Sequence, residues 1–112
     1  MKLALLNELL GRSQYGPTVF GCQAPDSGNA EILAHYGSPE QKRRWLQPLL
    51  DNEIVSCFAM TEPQGGADPK VFRTEAVRDG DDWVINGQKI WTSFGAQSDY
   101  CYLICRTSTD GP

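Results

Sequence analysis

The sequence predicts an α+β fold, a helical segment followed by an antiparallel β meander or barrel portion. Three observations carry this. Leu3, Leu6, Leu9 and Leu10 recur at three- and four-residue intervals up to Gly11. Ser38-Pro39-Glu40-Gln41 is a helix start with its cap, its first-turn proline and a capping-box glutamine. From Asn52 onward, short apolar runs alternate with Gly- and Asp-rich turns. The change of character places a helical part at 1–52 and a β part at 53–112.

The first helix ends at Gly11, and residues 13–25, with Gly16, Pro17, Gly21 and Pro25, read as irregular connection. A second helix starts at Asp26 or Ser27 and runs to Tyr36, with Ile32, Leu33 and Tyr36 facing inward and Gly37 ending it. The third helix buries Trp45, Leu46, Leu49 and Leu50 and leaves Lys42, Arg43 and Arg44 in solvent. Pro48 bends or frays its last turn. Ile54 to Met60 is a strand closed by Pro63 and Gly65-Gly66. Val71 to Arg78 is mixed, and Asp79-Gly80-Asp81-Asp82 makes a turn. Asn86-Gly87 predicts a hairpin between Trp83-Val84-Ile85 and a returning strand at Ile90 to Ser93. Tyr100 to Arg106 is a last strand, and Trp83 is assigned to the core.

With 112 residues, 40% hydrophobic and 21% charged, the chain suffices for one small globular domain. Its net charge of −4 argues against a partner recognised through phosphate neutralisation, so no nucleic acid is expected. Cys22, Cys57, Cys101 and Cys105 form no Cys-x-x-Cys pair, and His35 is the lone histidine. Reduced, mostly buried thiols in an intracellular protein are expected, and no metal site. Met1-Lys2-Leu3-Ala4-Leu5-Leu6 begins like a signal peptide, but Asn7 and Glu8 interrupt it. It is also far shorter than the ~18 residues of a membrane span. Neither a targeting peptide nor an integral membrane segment is expected.

Thr61, at the end of an extended run, is either a plain strand end or a hydroxyl donor beside a planar ligand. Gly65-Gly66 is an ordinary turn or a concave nest for a phosphate oxygen. Trp91 and Ser93, alternating with Thr92 on one strand, share a face. They form a core Trp with surface hydroxyls, or a wall and a donor beside an aromatic cofactor. Glu62 reads as a structural acceptor for loop N–H groups rather than a base, and Asp68 as the residue fixing the Gly turn.

Taken together, order and spacing are more telling than any residue alone. Ala59-Met60-Thr61-Glu62-Pro63 with its Gly-rich turn, then Ile85-Asn86-Gly87-Gln88-Lys89-Ile90-Trp91-Thr92-Ser93, closely resembles the acyl-CoA dehydrogenase family. Upstream, Pro25-Asp26-Ser27-Gly28-Asn29 and Tyr36-Gly37-Ser38-Pro39-Glu40-Gln41-Lys42 look like the segment leading into that family's middle domain. The resemblance covers residues 11 to 110. Ala24-Pro25-Asp26 and Phe58-Ala59-Met60 look nearer the branch taking longer or unusual acyl chains.

The resemblance implies a fragment of an α-β-α fold: the end of the N-terminal helical domain at 1–52 and the start of the middle β domain at 53–112. It implies FAD as cofactor and α,β-dehydrogenation of an acyl-CoA in fatty-acid β-oxidation. Phe58, Met60 and Thr61 would lie along the flavin ring, with Thr61 bonding its pyrimidine side. Trp91, Thr92 and Ser93 would sit at the opposite edge, with Ser93 toward the reactive nitrogen, and Gly66 would meet the pyrophosphate by its backbone. At Ala67 the family usually carries a Ser touching cofactor and thioester tail, so Ala67 keeps the N–H for cofactor and substrate but loses the hydroxyl. The family's catalytic glutamate belongs to a C-terminal helical domain, so no residue here is assigned as catalytic. Electron-transfer flavoprotein would be the acceptor and a homo-oligomer the parent assembly. The compartment would be the cytoplasm in a bacterium, or the mitochondrial matrix or peroxisome in a eukaryote. A non-catalytic remnant and a flavin oxidase or monooxygenase on the same fold are the alternative readings.

Overall fold

The computed structural model describes residues 2–108. They divide into two compact units, residues 2–56 and 57–108. The first is helical and the second is built from short strands, so the α+β expectation holds.

In the first unit, α1 (Lys2–Leu10) buries Leu10 alone, while Leu3, Leu6 and Leu9 stay exposed, contrary to the apolar face expected of them. Within the stretch read as irregular there is a short helix, α2 (Gly16–Val19). Its start is organised by Ser13, whose hydroxyl accepts from the N–H groups of Tyr15 and Gly16. Such a hydroxyl offers the chain a local nucleus that periodicity does not reveal.

Helix α3 (Asp26–Tyr36) ends where Gly37 donates to the Leu33 carbonyl. Gly37 has φ −68°, so its freedom at positive φ is not used. Space is what excludes a side chain there: a Cβ would come within 2.6 Å of the Leu33 oxygen. Ile32 and Leu33 are half-buried, but Tyr36 is exposed and Asn29 is the buried residue of the helix. The Asn29 amide donates to the Ser56 hydroxyl at 2.8 Å, and Asp26 accepts from the Ser56 N–H and hydroxyl at 2.9 and 2.6 Å. A polar helix start therefore holds the residue at which the first strand begins.

The third helix carries the expected capping box: Gln41 N–H to Ser38 Oγ at 3.2 Å and Ser38 N–H to Gln41 Oε1 at 2.8 Å. It runs as α4 (Pro39–Gln41), a π-helical turn (Lys42–Leu46) and α5 (Gln47–Leu50). Pro48 supplies the reason. It has no N–H for the carbonyl of Arg44 and its ring crowds that carbonyl, so the turn widens and Gln47 bonds back to Lys42. The widening rotates Leu50 into solvent, while Leu49 is buried and Trp45 and Leu46 half-buried.

In the second unit β1 (Ser56–Ala59) neighbours β4 (Tyr100–Leu103), and Ile104 N–H extends the pairing to the Ala59 carbonyl. Strands β2 (Glu75–Asp79) and β3 (Asp82–Asn86) pair antiparallel with Glu75 opposite Asn86 and Asp79 opposite Asp82. Gly80, at φ +61°, and Asp81 close this hairpin. Arg106 then lies beside β2, exchanging backbone bonds with Thr74 and Ala76. Cys57, Ala59, Phe72 and Ala76 are the buried apolar residues.

Two expectations fail here. Asn86-Gly87 makes no hairpin, and Ile90 to Ser93 is not a strand. The chain spends its tight turn at Gly80-Asp81 instead. Gly87 serves close approach, because a Cβ there would fall 2.6 Å from the Thr74 Cα. Trp83 is not core either: it is half in solvent, with the Arg78 guanidinium 5.8 Å from its ring across the hairpin.

Candidate functional site

All the site residues expected from the sequence lie in the second unit, on β1 and the chain leaving it and on the chain leaving β3. Past Ala59, Glu62 and Gly65 exchange both backbone bonds at 3.0 Å, making a tight turn with Pro63 and Gln64 at its tip. Proline suits the first central position because its φ is preset and its missing N–H is not needed. Gly66 folds back beneath Thr61: a Cβ at Gly66 would come 2.8 Å from Thr61 Oγ1. The close approach demanded of this glycine is thus toward Thr61. Ala67 is exposed beyond it, and Asp68 accepts from the Lys70 N–H, capping the short 3-10 turn Pro69–Val71.

Glu62 organises the turn from below. It is 2% exposed. Its carboxylate accepts the Arg73 N–H at 2.7 Å, the Thr74 N–H at 2.9 Å and the Lys89 ammonium at 2.8 Å. A fourth donor is the Gln64 amide, which also bonds the Val71 carbonyl. Burial by itself would raise the pKa of this group. The Lys89 ammonium and the Arg73 and Thr74 amide N–H groups reverse that and hold it well below the usual carboxylate range. The acceptor role expected of Glu62 is what the structure contains.

Lys89 was not foreseen. Its side chain is 7% exposed, and its ammonium bonds the Met60 carbonyl at 2.8 Å and lies 4.4 Å from the centre of the Phe72 ring. A signal did exist. A buried carboxylate requires a cation, and Lys89 is the sole Lys or Arg between Arg78 and Arg106. Ile90 N–H then donates to the Thr61 carbonyl at 2.9 Å. Three consecutive residues, Met60, Thr61 and Glu62, are thereby tied to two others, Lys89 and Ile90.

Immediately beyond this tie the backbone turns over. Trp91 has φ +58° and Phe94 φ +62°. For a bulky residue this left-handed conformation is an outlier, costing on the order of 1–3 kcal/mol. Trp91 is 85% exposed. The shared strand face expected for Trp91 and Ser93 does not exist, because the chain is not extended at Trp91. Ser93 is exposed, and Thr92 is half-buried, its carbonyl accepting from Gly95 N–H. On β1, the Phe58 ring stacks on Tyr102 at 5.8 Å and 18°. Met60 and Thr61 are half-buried.

Sequence comparison decides what this arrangement belongs to. Residues 57–112 match the profile described as acyl-CoA dehydrogenase, middle domain, and residues 1–53 match acyl-CoA dehydrogenase, N-terminal domain. The chain belongs to the acyl-CoA dehydrogenase family. Human acyl-CoA dehydrogenase family member 11 is 50% identical over 101 residues, which is 89% of this chain and 13% of that protein. Mouse acyl-CoA dehydrogenase family member 10 is 43% identical, matching 100% of this chain and 11% of its own length. Among solved structures, a Mycobacterium abscessus protein assigned to the acyl-CoA dehydrogenases aligns with a TM-score of 0.86 at 45% identity, over 95% of this chain and 27% of that one. The glutaryl-CoA dehydrogenase of Mycobacterium smegmatis, solved in complex with FADH2, aligns with a TM-score of 0.67 at 39% identity, over 71% of this chain and 21% of its own. The chain thus spans between about a tenth and a quarter of these acyl-CoA dehydrogenases. Among its described residues no helix is long and apolar enough to cross a membrane.

Proposed function

We propose that these residues form one wall of the FAD site of an enzyme catalysing α,β-dehydrogenation of an acyl-CoA thioester in fatty-acid oxidation. The carrying observation is the Ile90 N–H bond to the Thr61 carbonyl, which brings together the two peptides singled out by the sequence. The fit rests on Trp91: a large ring held in solvent by a costly backbone conformation is a surface awaiting a planar partner.

Phe58, Met60 and Thr61 would line the flavin ring on one side. Trp91, Thr92 and Ser93 would line another edge, and Gly66 and Ala67 would offer backbone N–H groups to the phosphates and the thioester tail. When bound, FAD supplies the acceptor for the hydride leaving the β-carbon. The protein's part is to orient the ring and exclude water around it. Glu62 does not take the α-proton: four donors occupy its carboxylate, and its low pKa opposes protonation. That proton goes to another carboxylate. An electron-transfer flavoprotein as electron acceptor and a homo-oligomeric parent belong to the same proposal.

The test uses the full-length enzyme that contains these residues. Thr61→Val and Trp91→Ala should each weaken FAD binding by about tenfold or more, equivalent to ~1.4 kcal/mol. Dye-coupled acyl-CoA oxidation should fall in parallel. Wild-type FAD affinity in both variants would defeat the proposal.

A further inference from the structure

We infer that the buried Glu62–Lys89 pair is the positioning device of the flavin wall, setting Thr61 and Trp91 in register with one another. This rests on the FAD reading above and assigns the geometry of that site to two residues that do not touch the ring.

Among the described residues, the Lys89 ammonium meets the Met60 carbonyl and the Glu62 carboxylate, on the peptide leaving β1, and the face of Phe72 just beyond its turn. Trp91 follows Lys89 by two residues, and Thr61 lies between the two groups that Lys89 grips. With Ile90 bonded to the Thr61 carbonyl, Lys89 and Ile90 draw both neighbouring carbonyls, of Met60 and Thr61, toward one side. That fixes which way the Thr61 side chain projects. Glu62 completes the device from the other end. Its bonds to the Arg73 and Thr74 N–H groups anchor the pair to the chain entering β2.

Stability alone is a weak reason for such a pair. Buried ion pairs replaced by apolar residues of similar volume are often neutral or stabilising, and their best-attested use is to specify a register. A Met at position 89 could pack against Phe72, but it would give the Met60 carbonyl no donor. The polar pair, together with the Ile90 bond to the Thr61 carbonyl, selects one arrangement of the two peptides.

In the full-length enzyme, folded Lys89→Met should bind FAD at least tenfold more weakly. The residual bound flavin should show an altered visible spectrum and a shifted reduction potential, which a loss of global stability alone does not produce. Lys89→Gln keeps a donor for the Met60 carbonyl and should lose less, roughly threefold. It also provides the reading if Lys89→Met does not fold. Thr61→Val and Trp91→Ala are measured alongside. If those two weaken FAD while a folded Lys89 variant binds within twofold of wild type with an unchanged spectrum, the positioning role falls and the flavin reading stands. If none of the four changes FAD binding, the flavin reading itself falls. Failure of both Lys89 variants to fold overturns the inference as well, assigning the pair to folding.

Discussion

The turn at Glu62 and the segment Trp91–Phe94 lie a few residues either side of the same tie, yet they are built on opposite terms. Around Glu62 a buried carboxylate is met by four donors. At Trp91 an aromatic side chain is exposed and its backbone is left-handed. One region is over-determined by buried bonds, and the other spends free energy on displaying a side chain. The strained part persists because the satisfied part holds its base, the general condition for strain at functional positions.

The strongest way to break this contrast is at its buried side. Glu62→Ala should cost about 3–5 kcal/mol, because it leaves the buried Lys89 ammonium without its counter-charge and two amide N–H groups without an acceptor. Urea unfolding of the full chain measures this, and a loss below about 1 kcal/mol would mean that the turn is held by something else. Acid provides a milder probe. Because the folded state lowers the pKa of Glu62, its contribution is complete above the unfolded value of about 4.3 and drains away as pH falls toward the folded one. Wild type should therefore lose stability below about pH 4 more steeply than Glu62→Gln, by up to about 1.4 kcal/mol per pH unit. Equal slopes would detach the acid sensitivity from Glu62.

The exposed side should respond in the reverse sense. Trp91→Gly removes a left-handed penalty of about 1–2 kcal/mol and pays roughly 0.5–1 in unfolded-chain entropy. Stability should stay level or rise by up to about 1.5 kcal/mol while FAD retention drops; a clear destabilisation would show that the Trp91 ring packs. The smallest effect expected is a control remote from both regions. Ser38→Ala removes the hydroxyl half of the capping box and should cost about 0.5–1 kcal/mol in thermal unfolding, without touching FAD retention.

What could be read from the sequence follows the range of the interactions involved. The capping box at Ser38 and Gln41 was legible because donor and acceptor sit three residues apart. The end of the third helix was legible in part: Pro48 announced a distortion, but not that it would take the form of a π turn and rotate Leu50 outward. The hairpin was misplaced because Gly80-Asp81 and Asn86-Gly87 are both turn signals. What separates them is the crowding of Gly87 against Thr74, thirteen residues earlier. At the site, the peptides 58–67 and 90–93 could be found by their order, whereas the bond joining them could not. Lys89 needed one further step, asking which cation answers a buried Glu62. The left-handed Trp91 left no local trace, because nothing in Ile90-Trp91-Thr92 prefers positive φ.

The contact between Gly66 and Thr61 constrains how sequences of this kind can diverge. With a Cβ on residue 66 only 2.8 Å from the Thr61 hydroxyl, the two positions cannot drift independently. A lineage that gains a side chain at 66 must first shrink residue 61, surrendering the methyl or the hydroxyl, and one that keeps Thr at 61 is confined to glycine at 66. The pair should be inherited as a unit, and a natural chain bearing Thr61 together with Ala or Ser at 66 should carry a displaced turn.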